Sequence, residues 1–141
     1  MGVAPLLLTL GACGLKLGYL YVMSTPEPWA VESLSQFKLA LKHINAKPDL
    51  LRGHNLTFEA HDEQGADMEA LRGVERLLQD PDIVGMVGTF YSSHAEFLGT
   101  YASIHSVPVI SPASTSLSLT DKTSRPYFMR SITSEDRKSV V

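Results

Sequence analysis

The stretch Val107-Pro-Val-Ile-Ser-Pro-Ala-Ser-Thr115 decides the fold when read with Val84-Gly-Met-Val-Gly-Thr-Phe-Tyr-Ser-Ser93 before it. Each is a short apolar run that breaks into a hydroxyl-rich loop. Apolar runs of this kind suit strands buried on both faces of a parallel sheet. The first loop leads into a helix-like segment, and a helix start offers spare N–H donors to a small anion such as a carboxylate. Two such strand–loop units side by side suggest half of a ligand cleft.

Outward from these two runs, strands and helices alternate. Leu15 to Met23 reads as the first strand, and Ser24-Thr-Pro-Glu-Pro28 as a loop, because two prolines exclude regular pairing. Ala30, Leu34, Phe37, Leu41 and Ile44 recur at steps of three and four, the stripe that one helical face buries. Asn45 and Pro48 mark the end of that helix. Asn55 to His61 alternates and reads as the second strand. Asp67 is placed to cap a helix whose inner face is Ala70, Leu71, Val74, Leu77 and Leu78, stopped by Asp80-Pro81. Ile83 to Val87 is the third strand and Val107 to Ser111 the fourth. Between them Ser93-His-Ala-Glu96 has the spacing of a capping box. Phe97, Tyr101 and Ile104, with Leu98 and Ala102, make the helix after it amphipathic. Tyr127 to Ile132 suits a fifth strand, and Thr133 to Asp136 another helix start.

This alternation predicts an α/β fold: a three-layer, doubly wound, mostly parallel sheet with helices on both faces. Ligands in such sheets bind beyond the carboxyl ends of the strands, near the point where strand order reverses. The loops Ser24–Pro28, Gly88–Ser92 and Pro112–Ser116 all follow strands and should crowd that one edge.

Composition narrows the function. A chain of 141 residues fits one domain with a sizeable core. The net charge of −3 favours neither nucleic acid nor an acidic membrane surface. Cys13 is the only cysteine, so neither an internal disulfide nor a cysteine-based metal site can form. The five histidines show no metal spacing: His43 and His54 belong on the surface, and His61, His94 and His105 read as structural. The sequence has no Gly-x-Ser-x-Gly elbow, dinucleotide fingerprint or phosphate loop, so neither an enzyme nor a cofactor is expected. Asn55-Leu-Thr57 is a glycosylation sequon, meaningful only in a secreted eukaryotic chain. Ala4 to Ala12 resembles a short signal core without a basic start, and Leu10-Gly-Ala-Cys13 has the look of a lipoprotein cleavage site. Lys16 and several glycines interrupt the apolar run, which argues against a membrane span there.

A set of ordered segments carries a resemblance. It comprises Ala40-Leu-Lys-His-Ile-Asn45, Leu51-Arg-Gly-His-Asn-Leu-Thr-Phe-Glu59, Asp62-Glu-Gln64, Val87-Gly88 with Ser92-Ser93, Val107 to Ser111, Ala113-Ser-Thr115, Leu119-Thr-Asp121 and Tyr127-Phe-Met-Arg130. In this order they resemble lobe one of type I periplasmic-binding-like domains, the receptor ligand-binding region family. Among its members the metabotropic glutamate and GABA type B receptors, of the class C G-protein-coupled receptors, look closest. The family fold has two lobes joined by a hinge, a Venus flytrap that traps ligand between them. The resemblance implies a truncated lobe one over 15–141, with 1–14 an apolar leader or remnant signal segment. Membrane spans would belong to missing downstream segments.

In amino-acid-binding members the ligand's α-carboxylate rests on lobe one. A serine in one loop holds it, together with backbone and hydroxyl groups of a small-residue cluster in the next. The resemblance places Ser92 at the first position and Ala113, Ser114 and Thr115 at the second. Trp29 lies near the aromatic residue that packs on the ligand. Ser92 and Ser93 can bind ligand or cap a helix; Ser93 is assigned to the cap and Ser92 to the ligand. Ser114 and Thr115 also suit a turn, and their place after a buried strand turns the reading toward ligand. Several members tie the loop after strand two to the loop before the serine by a disulfide; the matching positions here are Gly65 and Tyr91, so that bridge is absent.

The resemblance therefore implies a non-enzymatic, extracellular receptor lobe that senses an amino acid or analogue and signals by cleft closure. It would sit at the outer side of the plasma membrane and dimerise through helix faces in residues 30–45 and 94–105. A bacterial periplasmic amino-acid-binding protein of an ABC transporter, or a natriuretic-peptide/guanylyl cyclase-type receptor ectodomain, are the alternative readings.

Overall fold

Strand β1, Leu15–Tyr21, is the axis of the sheet: it pairs in parallel with β2, Leu56–Asp62, on one side and with β3, Ile83–Val87, on the other. β3 pairs with β4, Val109–Ser111, and β4 with β5, Phe128–Arg130, again in parallel. The resulting order is β2-β1-β3-β4-β5. The computed structural model describes residues 15–24 and 28–136. The leader expected over 1–14 and the centre of the loop after β1 lie outside the described residues.

Three helices make the crossovers: α1, Pro28–Asn45, α2, Asp67–Leu78, and α3, Ser92–Ile104. The chain turns one way from β1 to β2 and the other way from β2 to β3. Right-handed crossovers then put α1 on one face and α2 with α3 on the other. The fold is thus the expected three-layer α/β lobe, with every strand parallel. The switch point lies between β1 and β3.

The two faces are packed differently. Under α2 and α3 lies the main core, where Leu20, Val74, Leu77, Met86, Leu98, Val109 and Phe128 are all fully buried. Each such side chain contributes roughly 1.5–3 kcal/mol by leaving water. Under α1 the contacts are aromatic. Tyr19 stacks on Phe37 with ring centres 4.2 Å apart, and Phe37 meets Phe58 edge-on at 5.3 Å. α1 packs chiefly on β1 and β2, and Val84, Ile110 and Met129 on the remaining strands of that face stay exposed.

Several boundaries and faces differ from the sequence reading. β4 starts at Val109 because Pro108 has no N–H to give a ladder, although its carbonyl accepts from Met86 N. The register slips between Lys16 and Leu17, leaving Val84 as an extra residue in β3 that bulges outward. The inner face of α3 is His94, Ala95, Leu98, Gly99 and Ala102, whereas Phe97 and Ile104 are exposed. Size explains this. A Cβ at Gly99 would lie 3.1 Å from both Phe128 and Arg125, so a small-residue face is what lets α3 approach β5. On α2, Gly73 is buried and Leu71 is not, because the His61 ring occupies the space that a side chain at 73 would need.

Candidate functional site

Because every strand runs the same way, the carboxyl ends of β1, β3 and β4 deliver their loops to one edge. The loop after β3 begins at Gly88, with φ of +119°, in close contact with β1: a Cβ there would stand 2.1 Å from the Leu20 carbonyl oxygen. Only glycine satisfies both demands. The chain then runs through buried Thr89, whose hydroxyl donates to the Tyr91 carbonyl at 2.9 Å, and enters α3 at Ser92.

Behind this loop sits a buried hydroxyl pair from the β4 loop. The oxygens of Ser111 and Ser114 are 2.8 Å apart, and they lie 2.7 and 3.2 Å from the Thr89 carbonyl oxygen. Ser111 Oγ also accepts from the Ser114 and Ala113 amides, at 3.1 and 3.4 Å. Ser114, expected at the ligand, is fully buried here, and its hydroxyl joins the β4 loop to the β3 loop. The Ala113 amide is likewise directed inward at Ser111.

The front of the rim is different. Ser92 Oγ is half-buried and accepts from the Ser116 amide at 3.2 Å, so the two loops do meet at this edge. Ser92 keeps its own hydroxyl hydrogen for a further acceptor. Thr115 is also half-buried; its hydroxyl donates to Glu135 Oε1 at 2.5 Å, and its carbonyl accepts from the Glu135 amide at 3.0 Å. Trp29, on the first turn of α1, packs on Phe90 with ring centres 4.9 Å apart, at the β3 loop. Arg130 lies behind the rim, donating to the Ser116 carbonyl at 2.8 Å and to the Thr120 hydroxyl at 2.7 Å.

The expected capping arrangements do not form. Tyr91 holds the N-cap of α3 and no side chain caps it. Ser93 Oγ reaches instead across to Asp67 at 3.4 Å, and Glu96 accepts from the Ser118 hydroxyl. Asp67 is the first residue of α2 rather than its cap, which is Ala66. The first-turn amides of α3 therefore have no side-chain acceptor. That turn has no acidic residue of its own; Asp67 and Glu63 approach it at Ser93 and His94, and the side facing Ser92 and the Ser116 amide is left open.

The loop after β1 is anchored by Asp62, which accepts from the Met23 amide at 2.9 Å, the Gln64 amide at 3.0 Å and the Ser24 hydroxyl. Burial alone would raise this carboxyl's pKa, but the donors outweigh it and hold the pKa below the usual value. Asn55, the sequon residue, is exposed immediately before β2. Among the described residues, no group of three His, Cys, Asp or Glu side chains is arranged to hold a metal ion. Sequence reasoning missed the Ser116 amide, Phe90 and Glu135. A signal existed only for the first, which sits in the hydroxyl-rich run Ser114 to Ser116.

A parallel sheet whose hydroxyl-bearing loops meet beyond its switch point defines an α/β ligand-binding lobe. The sequence profile of the receptor family ligand binding region matches residues 33–140, most of the chain, and the protein belongs to that family. Its lobe is of the type I periplasmic-binding-like kind. A comparison with curated proteins returns no match.

Proposed function

We propose that this lobe captures the α-carboxylate of an amino acid or close analogue as the first half of a receptor cleft. The carrying observation is the open first turn of α3 beside Ser92, whose oxygen meets the Ser116 amide at 3.2 Å. The Ser92 hydroxyl and the uncapped amides would donate to the carboxylate, and the helix end favours its charge. Glu135 already places a carboxylate on the Thr115 hydroxyl, and a ligand would displace it. Trp29 against Phe90 supplies an apolar wall for the rest of the ligand.

In this reading the parent is an extracellular receptor related to the class C group, not an enzyme, and a second lobe closes over the ligand. Closure shifts a two-state equilibrium, and that shift is the signal. Exposed Phe97 and Ile104 on α3 support a dimer contact through the helix faces. Among the described residues no helix is long and apolar enough to cross a membrane. A charge-assisted hydrogen bond nets about 1.5–3 kcal/mol. After ordering costs, a single open lobe should bind no tighter than roughly millimolar. The test is calorimetric titration of neutral and acidic amino acids into the chain and into a Ser92→Ala, Thr115→Ala variant. Affinity should fall at least about tenfold in the variant; equal affinity in both proteins would refute the site.

A further inference from the structure

His94 is the one fully buried imidazole among the described residues, and it sits between two carboxylates. Its Nδ1 is 3.1 Å from Glu63 Oε2, and its Nε2 is 3.1 Å from Asp67 Oδ1. Glu63 is itself fully buried and lies in the tight turn between β2 and α2, where Gln64 and Gly65 take positive φ and the Ala66 amide donates to the Glu63 carbonyl. The Glu63 carboxylate oxygens receive no straight hydrogen bond, so their contact with His94 is chiefly one of charge. No lysine or arginine among the described residues pairs with Glu63 or Asp67. Two further groups face the cluster: the Tyr91 ring, edge-on to the imidazole at 5.1 Å, and the Tyr19 phenol on β1, which feels the Glu63 charge. Ser93 adds its own bond to Asp67.

We propose that His94, held as a cation between Glu63 and Asp67, is a charge tie that fastens the ligand-rim loop Gly88–Ser92 to the β2–α2 turn and lets it go when the imidazole loses its proton. A buried carboxylate with no other counter-charge is expensive to leave unpaired. His94 lies in the first turn of α3, close after Tyr91 and Ser92, so its anchorage fixes where that helix begins and hence where the Ser92 hydroxyl points. Burial would lower the imidazole pKa, but Glu63 and then Asp67 outweigh it and raise the pKa above the usual value. The sign follows: the tie is complete below the ordinary histidine pKa and weakens as pH rises through the elevated one. This tie holds whether or not the rim binds the ligand proposed above.

The test is an NMR pH titration of the whole 141-residue chain. His94 should titrate above the ordinary histidine value, and Glu63→Gln or Asp67→Asn should bring it down. Amide exchange at Phe90 to Ser92, corrected for intrinsic base catalysis, should accelerate by about tenfold or more across the His94 titration. His94→Gln should show fast exchange at every pH and no step. If that variant does not fold, the unsubstituted chain and Glu63→Gln decide. Titration of His94 at or below the ordinary histidine value, or loop protection that ignores its titration, would overturn the proposal.

Discussion

Ser114 and Ser92 lie in neighbouring loops at the same edge of the sheet, and each oxygen meets the other loop at 3.2 Å. Ser114 is sealed behind Thr89 and Tyr91 and spends its hydroxyl on backbone carbonyls. Ser92 is half-buried, accepts one amide and retains a hydrogen to donate. The same side chain thus builds the rim in one place and equips it in the other. Burial and the direction of the proton separate the two roles, not residue type.

Substitutions should widen or erase that contrast. Gly88→Ala attacks the back of the rim most severely, combining a disfavoured φ with a collision against β1. Its cost should be about 3 kcal/mol or more in denaturant unfolding. Ser114→Ala removes a buried hydroxyl from its carbonyl partners and should cost about 1–3 kcal/mol. Ser92→Ala should change stability by less than about 1 kcal/mol and still weaken ligand binding. A Ser114→Ala variant as stable as the parent, or a Ser92→Ala variant that unfolds, would reverse the assignment of back and front. The smallest effect belongs to Glu135→Gln. It removes a competing negative charge from Thr115 and should raise affinity for a carboxylate ligand a few-fold.

The lobe was legible in the sequence because its signals are local. Five apolar runs, three amphipathic stretches and Pro or Gly punctuation suffice for a parallel sheet, and parallel order alone brings the Gly88–Ser92 and Pro112–Ser116 loops together. Which face α3 buries was not legible, because the choice of Ala95 and Gly99 over Phe97 depends on the approach of Phe128 from β5. Nor was the division between Ser114 and Ser92, since turn geometry decides which hydroxyl points inward. His94 reads from the sequence as structural, and its partners are not visible from periodicity. Glu63 and Asp67 reach it only because α2 and α3 pack side by side.

The central claim is that the open helix start and the two meeting loops form one carboxylate-binding rim. Backbone amide shifts of the chain, followed during titration with an amino acid to millimolar concentration, test it most directly. The account predicts that Ser92, Ser93, Thr115 and Ser116 move together along one binding curve, while residues of the exposed Val84, Ile110 and Met129 face stay still. Shifts confined to that apolar face, or none at the rim at saturating ligand, would contradict it.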